Sequence, residues 1–165
     1  MKTLLLPCLL FLIGGTAAFA QNPTFDKFFD QYADRKGIVT VKLSNFPVDL
    51  LTSGEKDCDL KINSLRVLTV EDQDLNAKVN FYDEIVPGIN RNAYEELLTI
   101  KRKGENSIML CKRDKKRITE LVYVSGGEKN VMVEITGSMS LEQAKKMTKE
   151  VSESDDSKEH HNENE

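Results

Sequence analysis

The sequence predicts an α+β fold, an antiparallel sheet with a C-terminal four-strand meander, packed by helices on at least one face. Three observations predict it. Apolar residues alternate with a period of two through Tyr94–Arg102, Ser107–Arg113, Ile118–Ser125 and Val131–Thr136, the spacing that puts every second side chain on one side of a strand. The connections are Lys103-Gly104-Glu105-Asn106, Asp114-Lys115-Lys116 and Gly126-Gly127-Glu128-Lys129-Asn130. They are rich in turn residues and too short for the crossover that parallel strands require, so neighbours run antiparallel. Helical spacing appears before and after this region.

The first segment, residues 1–20, reads as a signal peptide. Lys2 gives it a positive start, Leu4 to Ala17 is uncharged and mainly apolar, and Ala18-Phe19-Ala20 has the small-x-small pattern of a cleavage site. Cleavage between Ala20 and Gln21 is expected, and the apolar run is short for a membrane span. Residues 21–150 then form one α+β domain.

Within that domain, Phe25, Phe28, Phe29 and Tyr32 recur at helical spacing and predict an aromatic stripe facing the core. Thr24 is placed to cap this helix, Asp26 suits its first turn, and Gly37 suits its end. Gly37–Leu43 reads as a strand with Val39, Val41 and Leu43 on one face. Ser44–Leu51 reads as a short helical turn, Thr52–Asp59 as a polar loop, and Leu60–Val70 as an interior strand covered on both sides. Leu75, Val79, Tyr82 and Val86 predict a helix that Pro87-Gly88 stops. In the meander, Tyr94, Leu98 and Ile100 share one face of the first strand. Ile118, Val122 and Val124 share a face of the third, interrupted by Glu120, and Val131, Val133 and Ile135 form the apolar face of the fourth.

Ser140 and Gln143 form a capping box for a last helix with Leu141, Ala144, Met147 or Thr148, and Val151 inward. Residues 151–165 contain no apolar side chain after Val151 and are expected to be a disordered acidic tail.

The formal net charge is -4, and the tail alone carries six acids against Lys158, which leaves the body near neutral. Nothing here resembles the clustered basic surface that nucleic acid calls for, so no nucleic-acid partner is expected. Cys8 leaves with the signal, and Cys58 and Cys111 remain as a candidate disulfide pair for an oxidising compartment. Its loop, of just over fifty residues, corresponds to about 4 kcal/mol in the chain-entropy model. The competing reading is two unrelated small hydrophobes.

Histidine is confined to His160 and His161, both in the tail. A body without imidazole excludes Ser-His-Asp and Cys-His catalysis and the common zinc sites. No catalytic, cofactor-binding or metal-ligating residue is therefore expected. Asp72-Gln73-Asp74-Leu75-Asn76 is a poor calcium loop, because Ala77 stands where the turn needs glycine. Gly126-Gly127 precedes a strand where a phosphate cradle would precede a helix.

The succession Phe25-Asp26-Lys27-Phe28-Phe29, Gly37-Ile38-Val39-Thr40-Val41, Ser64-Leu65-Arg66-Val67-Leu68, Tyr94-Glu95-Glu96-Leu97-Leu98, Ile118-Thr119-Glu120-Leu121-Val122 and Ile135-Thr136-Gly137 resembles a known family. It is the group of small exported bacterial proteins catalogued as domain of unknown function 4252, and the resemblance spans about Thr24 to Met147. It implies an envelope or secreted protein with no assigned activity, and it supplies no catalytic residue. The expected function is a non-catalytic binding or sensing module, periplasmic, outer-membrane-associated or secreted. Its expected partner is a protein or other envelope component, and the mature chain is expected to have no transmembrane helix. Two rivals are a carboxylate-based hydrolase acting on glycans and a thiol redox-responsive protein that uses Cys58 and Cys111.

Overall fold

The computed structural model describes residues 23–45 and 59–147. Among them, helix α1 (Pro23–Tyr32) leads into strand β1 (Ile38–Ser44), and strand β2 (Lys61–Val70) into short helices α2 (Gln73–Asn76) and α3 (Phe81–Ile85). Two 3₁₀ turns, Val86–Gly88 and Arg91–Ala93, precede β3 (Glu95–Arg102), β4 (Glu105–Asp114), β5 (Arg117–Gly127) and β6 (Val131–Met139). Residues 141–147 are helical. The strands make one six-stranded antiparallel sheet in the order β1-β2-β6-β5-β4-β3, so β1 and β3 are its edges.

The aromatic stripe forms the heart of the larger core. Phe25, Phe28, Phe29 and Tyr32 are buried with Phe81, Ile85, Leu68, Ile108, Val122 and Met132 between the helices and one face of the sheet. Phe28 meets Phe81 edge to face with centroids 4.9 Å apart, and Phe25 meets Tyr94 likewise at 6.0 Å. The opposite face carries a second cluster of Leu60, Ile62, Met109, Cys111, Ile118, Leu121, Met139 and Ala144, against which Leu141 and Met147 pack. The expected capping box is formed: the Ser140 N–H donates to Gln143 Oε1 at 2.6 Å, and the Gln143 N–H to Ser140 Oγ at 3.1 Å.

Several sequence-based expectations are corrected. Thr24 lies inside α1, and its hydroxyl donates to the Gly88 carbonyl at 2.9 Å, so it ties the helix to a 3₁₀ turn. The helix ends at Tyr32, before Gly37, although Gly37 does adopt the left-handed φ of 87°. A side chain there would also collide with Asp72, since a Cβ would lie 2.5 Å from the Asp72 Cβ. The continuous helix expected over Leu75–Val86 is two short ones. Asn80 interrupts it with an extended backbone and caps α3 by accepting from the Asp83 N–H at 3.1 Å. Phe81 and Ile85 consequently turn inward, and Tyr82 is only partly buried.

Bulges also redistribute the faces. The register shifts between Glu96 and Leu98, which sends Tyr94 to the helix-side core and Leu98 to the other cluster. A second shift between Ile118 and Glu120 separates Ile118 from Val122 and Val124 in the same way. Ser44 belongs to β1, while the rest of the predicted Ser44–Leu51 turn and all but Asp59 of the following loop lie outside the described residues.

Candidate functional site

Two features stand apart from ordinary core packing: a buried charged cluster under α1, and an open sheet edge beside an aliphatic face. The first follows from register. Across the sheet, Lys42, Arg66, Glu134, Val122 and Leu110 stand in one row, and Ser44, Ser64, Thr136, Glu120 and Lys112 in the next. These rows continue the face that carries Leu68, Val124 and Met132, so charge is built directly onto the end of the main core.

Arg66 organises the cluster. Its guanidinium forms an ion pair with Glu134 Oε2 and a second with Asp26 Oδ1 at 2.7 Å, and it stacks 5.1 Å from the Phe29 ring centre. Glu134 is wholly buried, and its Oε1 has no hydrogen-bond partner. Burial pushes the Glu134 carboxyl above its ordinary value, against the pull of Arg66, and nearby Glu120 pushes it the same way. Glu120 is buried as well, but it accepts from the Tyr94 hydroxyl at 2.5 Å and has Lys112 Nζ at 3.8 Å. On α1, the Tyr32 hydroxyl donates to Glu84 Oε2 at 2.6 Å, and burial followed by that carboxylate raises its pKa.

This cluster contains two buried carboxylates, Glu120 and Glu134. Their signal was a charged residue at an interior position of an otherwise apolar strand, which sequence reading registered only as an interruption at Glu120. Two cavities among the described residues lie away from Glu120 and Glu134. One, of about 400 Å³, is lined by Thr24, Lys27, Phe28, Gln31 and Glu84. The other, of about 680 Å³, lies where α2 meets the hairpin ends at Gly104 and Gly127–Val131. Two polar side chains of the second, Asn76 and Asn130, are engaged in holding the fold. The Asn130 amide accepts from the Phe81 N–H at 2.7 Å and donates to Asn76 Oδ1 at 2.9 Å, and Asn76 donates to the Glu128 carbonyl at 2.9 Å.

The second feature is β1. Its N–H and C=O groups alternate in direction. Gly37 and Asn45 bond to β2 or its extension, since the Gly37 carbonyl accepts from Glu71 at 3.0 Å and the Asn45 N–H donates to Asn63 at 2.8 Å. With an unbroken register between them, Val39, Val41 and Leu43 bond inward, and Thr40, Lys42 and Ser44 turn theirs to the outer edge. Among the described residues, Val39 and Val41 are the large hydrophobic side chains that stay exposed, at 40% and 36%. They adjoin half-buried Leu65, Val67, Val133 and Ile135 on the face opposite α1.

Of the residues singled out from sequence, Cys111 is fully buried in the second cluster, and burial raises its thiol pKa. Cys58, Ala20, Gln21, His160 and His161 lie outside the described residues. Asp72 serves α2 as its N-cap, accepting from the Leu75 N–H at 2.8 Å. Among the described residues, no group of three or more His, Cys, Asp or Glu side chains could hold a metal ion. No helix there is long and apolar enough to cross a membrane.

Over the described residues these features define an α+β protein built on a single six-stranded antiparallel sheet, with Glu120 and Glu134 buried on one face and β1 at one edge. The chain belongs to the family described as domain of unknown function (DUF4252), whose family model matches residues 32–147. Neither a curated protein nor a solved structure matches it.

Proposed function

We propose that the mature chain is an exported, non-catalytic module that binds another component of the bacterial envelope through the aliphatic face of β1, β2 and β6. The observation that carries this reading is the contrast between where charge and where apolar surface are spent. Glu120, Glu134 and Tyr94 are buried, Glu120 accepting from Tyr94 and Glu134 paired with the partly buried Arg66, so neither carboxylate faces a substrate. Val39 and Val41 stand exposed beside half-covered Val67 and Val133, a surface suited to another apolar surface. Export rests on the leader pattern ending at Ala20.

The test has two arms. The mass of the exported protein should correspond to a chain beginning at Gln21. Tagged wild-type protein and the Val67→Glu variant, both folded by circular dichroism, are then incubated with envelope extract. A component retained by wild type and lost with Val67→Glu supports the reading. Equal retention of every component by both proteins contradicts it.

A further inference from the structure

We infer that the outer edge of β1 pairs with the same edge of a second copy, giving a two-fold dimer with one continuous twelve-stranded sheet. This rests on the reading above only in supplying the platform: the dimer would set the two aliphatic faces side by side.

Among the described residues, the outer edge of β1 lacks the usual guards. Exposed strand edges are normally guarded by a bulge, a proline, a charge or a covering element. The opposite edge, β3, has such guards: a bulge between Glu96 and Leu98, and Glu95, Glu96, Lys101 and Arg102 near its two ends. β1 is seven residues long, pairs with β2 without a register shift and contains no proline. Its one charge, Lys42, is folded over Phe29 with Nζ 4.7 Å from the ring centre, so the ammonium lies over the helix-side core.

Self-pairing then has a determined register. Only residues with outward N–H and C=O groups can exchange hydrogen bonds, so the two-fold axis must pass through a residue and not between residues. Centring it on Val41 overlaps all of Ile38–Ser44 and sets Thr40 opposite Lys42, Val39 opposite Leu43, and Val41 opposite its own copy. Centring it on Lys42 would oppose two lysines and shorten the overlap. The Ile38 N–H is already donated to the Arg35 carbonyl at 3.2 Å, which leaves about six backbone hydrogen bonds across the axis. Because the pairing is isologous and the other edge is guarded, association closes at two copies and does not run on into fibres. A seven-residue edge is a small interface, so the dimer is expected to form on the order of tens of micromolar.

Sedimentation of the purified mature protein across that concentration range tests this. Wild type should shift from monomer to dimer mass. Val41→Lys and Val41→Glu each place like charges opposite each other at the axis and should weaken association roughly tenfold or more, while an equimolar mixture should recover a dimer. Thr40→Pro, which removes an outward N–H and leaves the bonds to β2 intact, should lose the dimer by a second route. Wild type that stays monomeric throughout, or charge variants that associate as wild type does, would overturn the inference. Since the measurement uses purified protein alone, its failure is separate from failure to retain an envelope component.

Discussion

Under α1 the sheet carries Glu120 and Glu134, both buried, and the partly buried Arg66 on the same face as Leu68, Val122 and Met132. On the other side of the same strands, Val41, Val67 and Val133 remain at least partly open. The face that carries the two buried carboxylates is thus the more covered one, and at β1 and β2 the aliphatic face is the more accessible one. Burial here follows what packs on top, the aromatic stripe of α1 and Phe81, more than the hydrophobicity of the strand residues beneath. The sealed charges are tolerated because Arg66 serves Asp26 and Glu134 together, while Tyr94 and Lys112 serve Glu120.

Arg66 is the keystone of the charged face. Arg66→Ala removes the partner of a fully buried carboxylate and should cost about 3–5 kcal/mol, read from the denaturant midpoint. The loss should be greater at pH 8 than at pH 5, because protonation relieves the stranded Glu134. Met132→Ala, on the sealed face, should cost about 2–5 kcal/mol by opening a cavity. A smaller effect concerns pH alone. The folded state holds the Glu134 proton above its ordinary pKa near 4.5, so between that value and the raised one it binds more protons than the unfolded chain. This group's contribution to stability therefore falls as pH rises through the interval. Stability of Glu134→Gln, followed by denaturant titration across pH, should lack that component. Smallest of all, Val41→Thr on the open face should change stability by no more than about 0.5 kcal/mol.

Much of this architecture was legible because period-two alternation and short turns are local signals. The strand over Ser107–Arg113 extends by only a few residues to Glu105–Asp114, and the capping box at Ser140 and Gln143 forms with both bonds. The faces were less legible. A bulge changes the parity of everything beyond it, and neither the one beside Leu98 nor the one beside Glu120 leaves a mark in composition. The apolar row Val131, Val133 and Ile135 turned out to be the less covered side of β6, with Met132 and Glu134 wholly buried behind it. That assignment depends on α1 arriving from more than a hundred residues away, which alternation cannot report. The charged cluster escaped for the same reason, since Asp26, Arg66 and Glu134 meet only through the sheet order.

Amide exchange along β1, followed by NMR on dilute monomeric protein, tests most directly whether this edge of the sheet is open. The N–H groups of Val41 and Leu43 should exchange slowly and those of Thr40 and Lys42 rapidly, in strict alternation. Uniformly slow exchange through Thr40–Leu43 at that dilution would mean another segment of the chain already covers the edge, and would contradict the account.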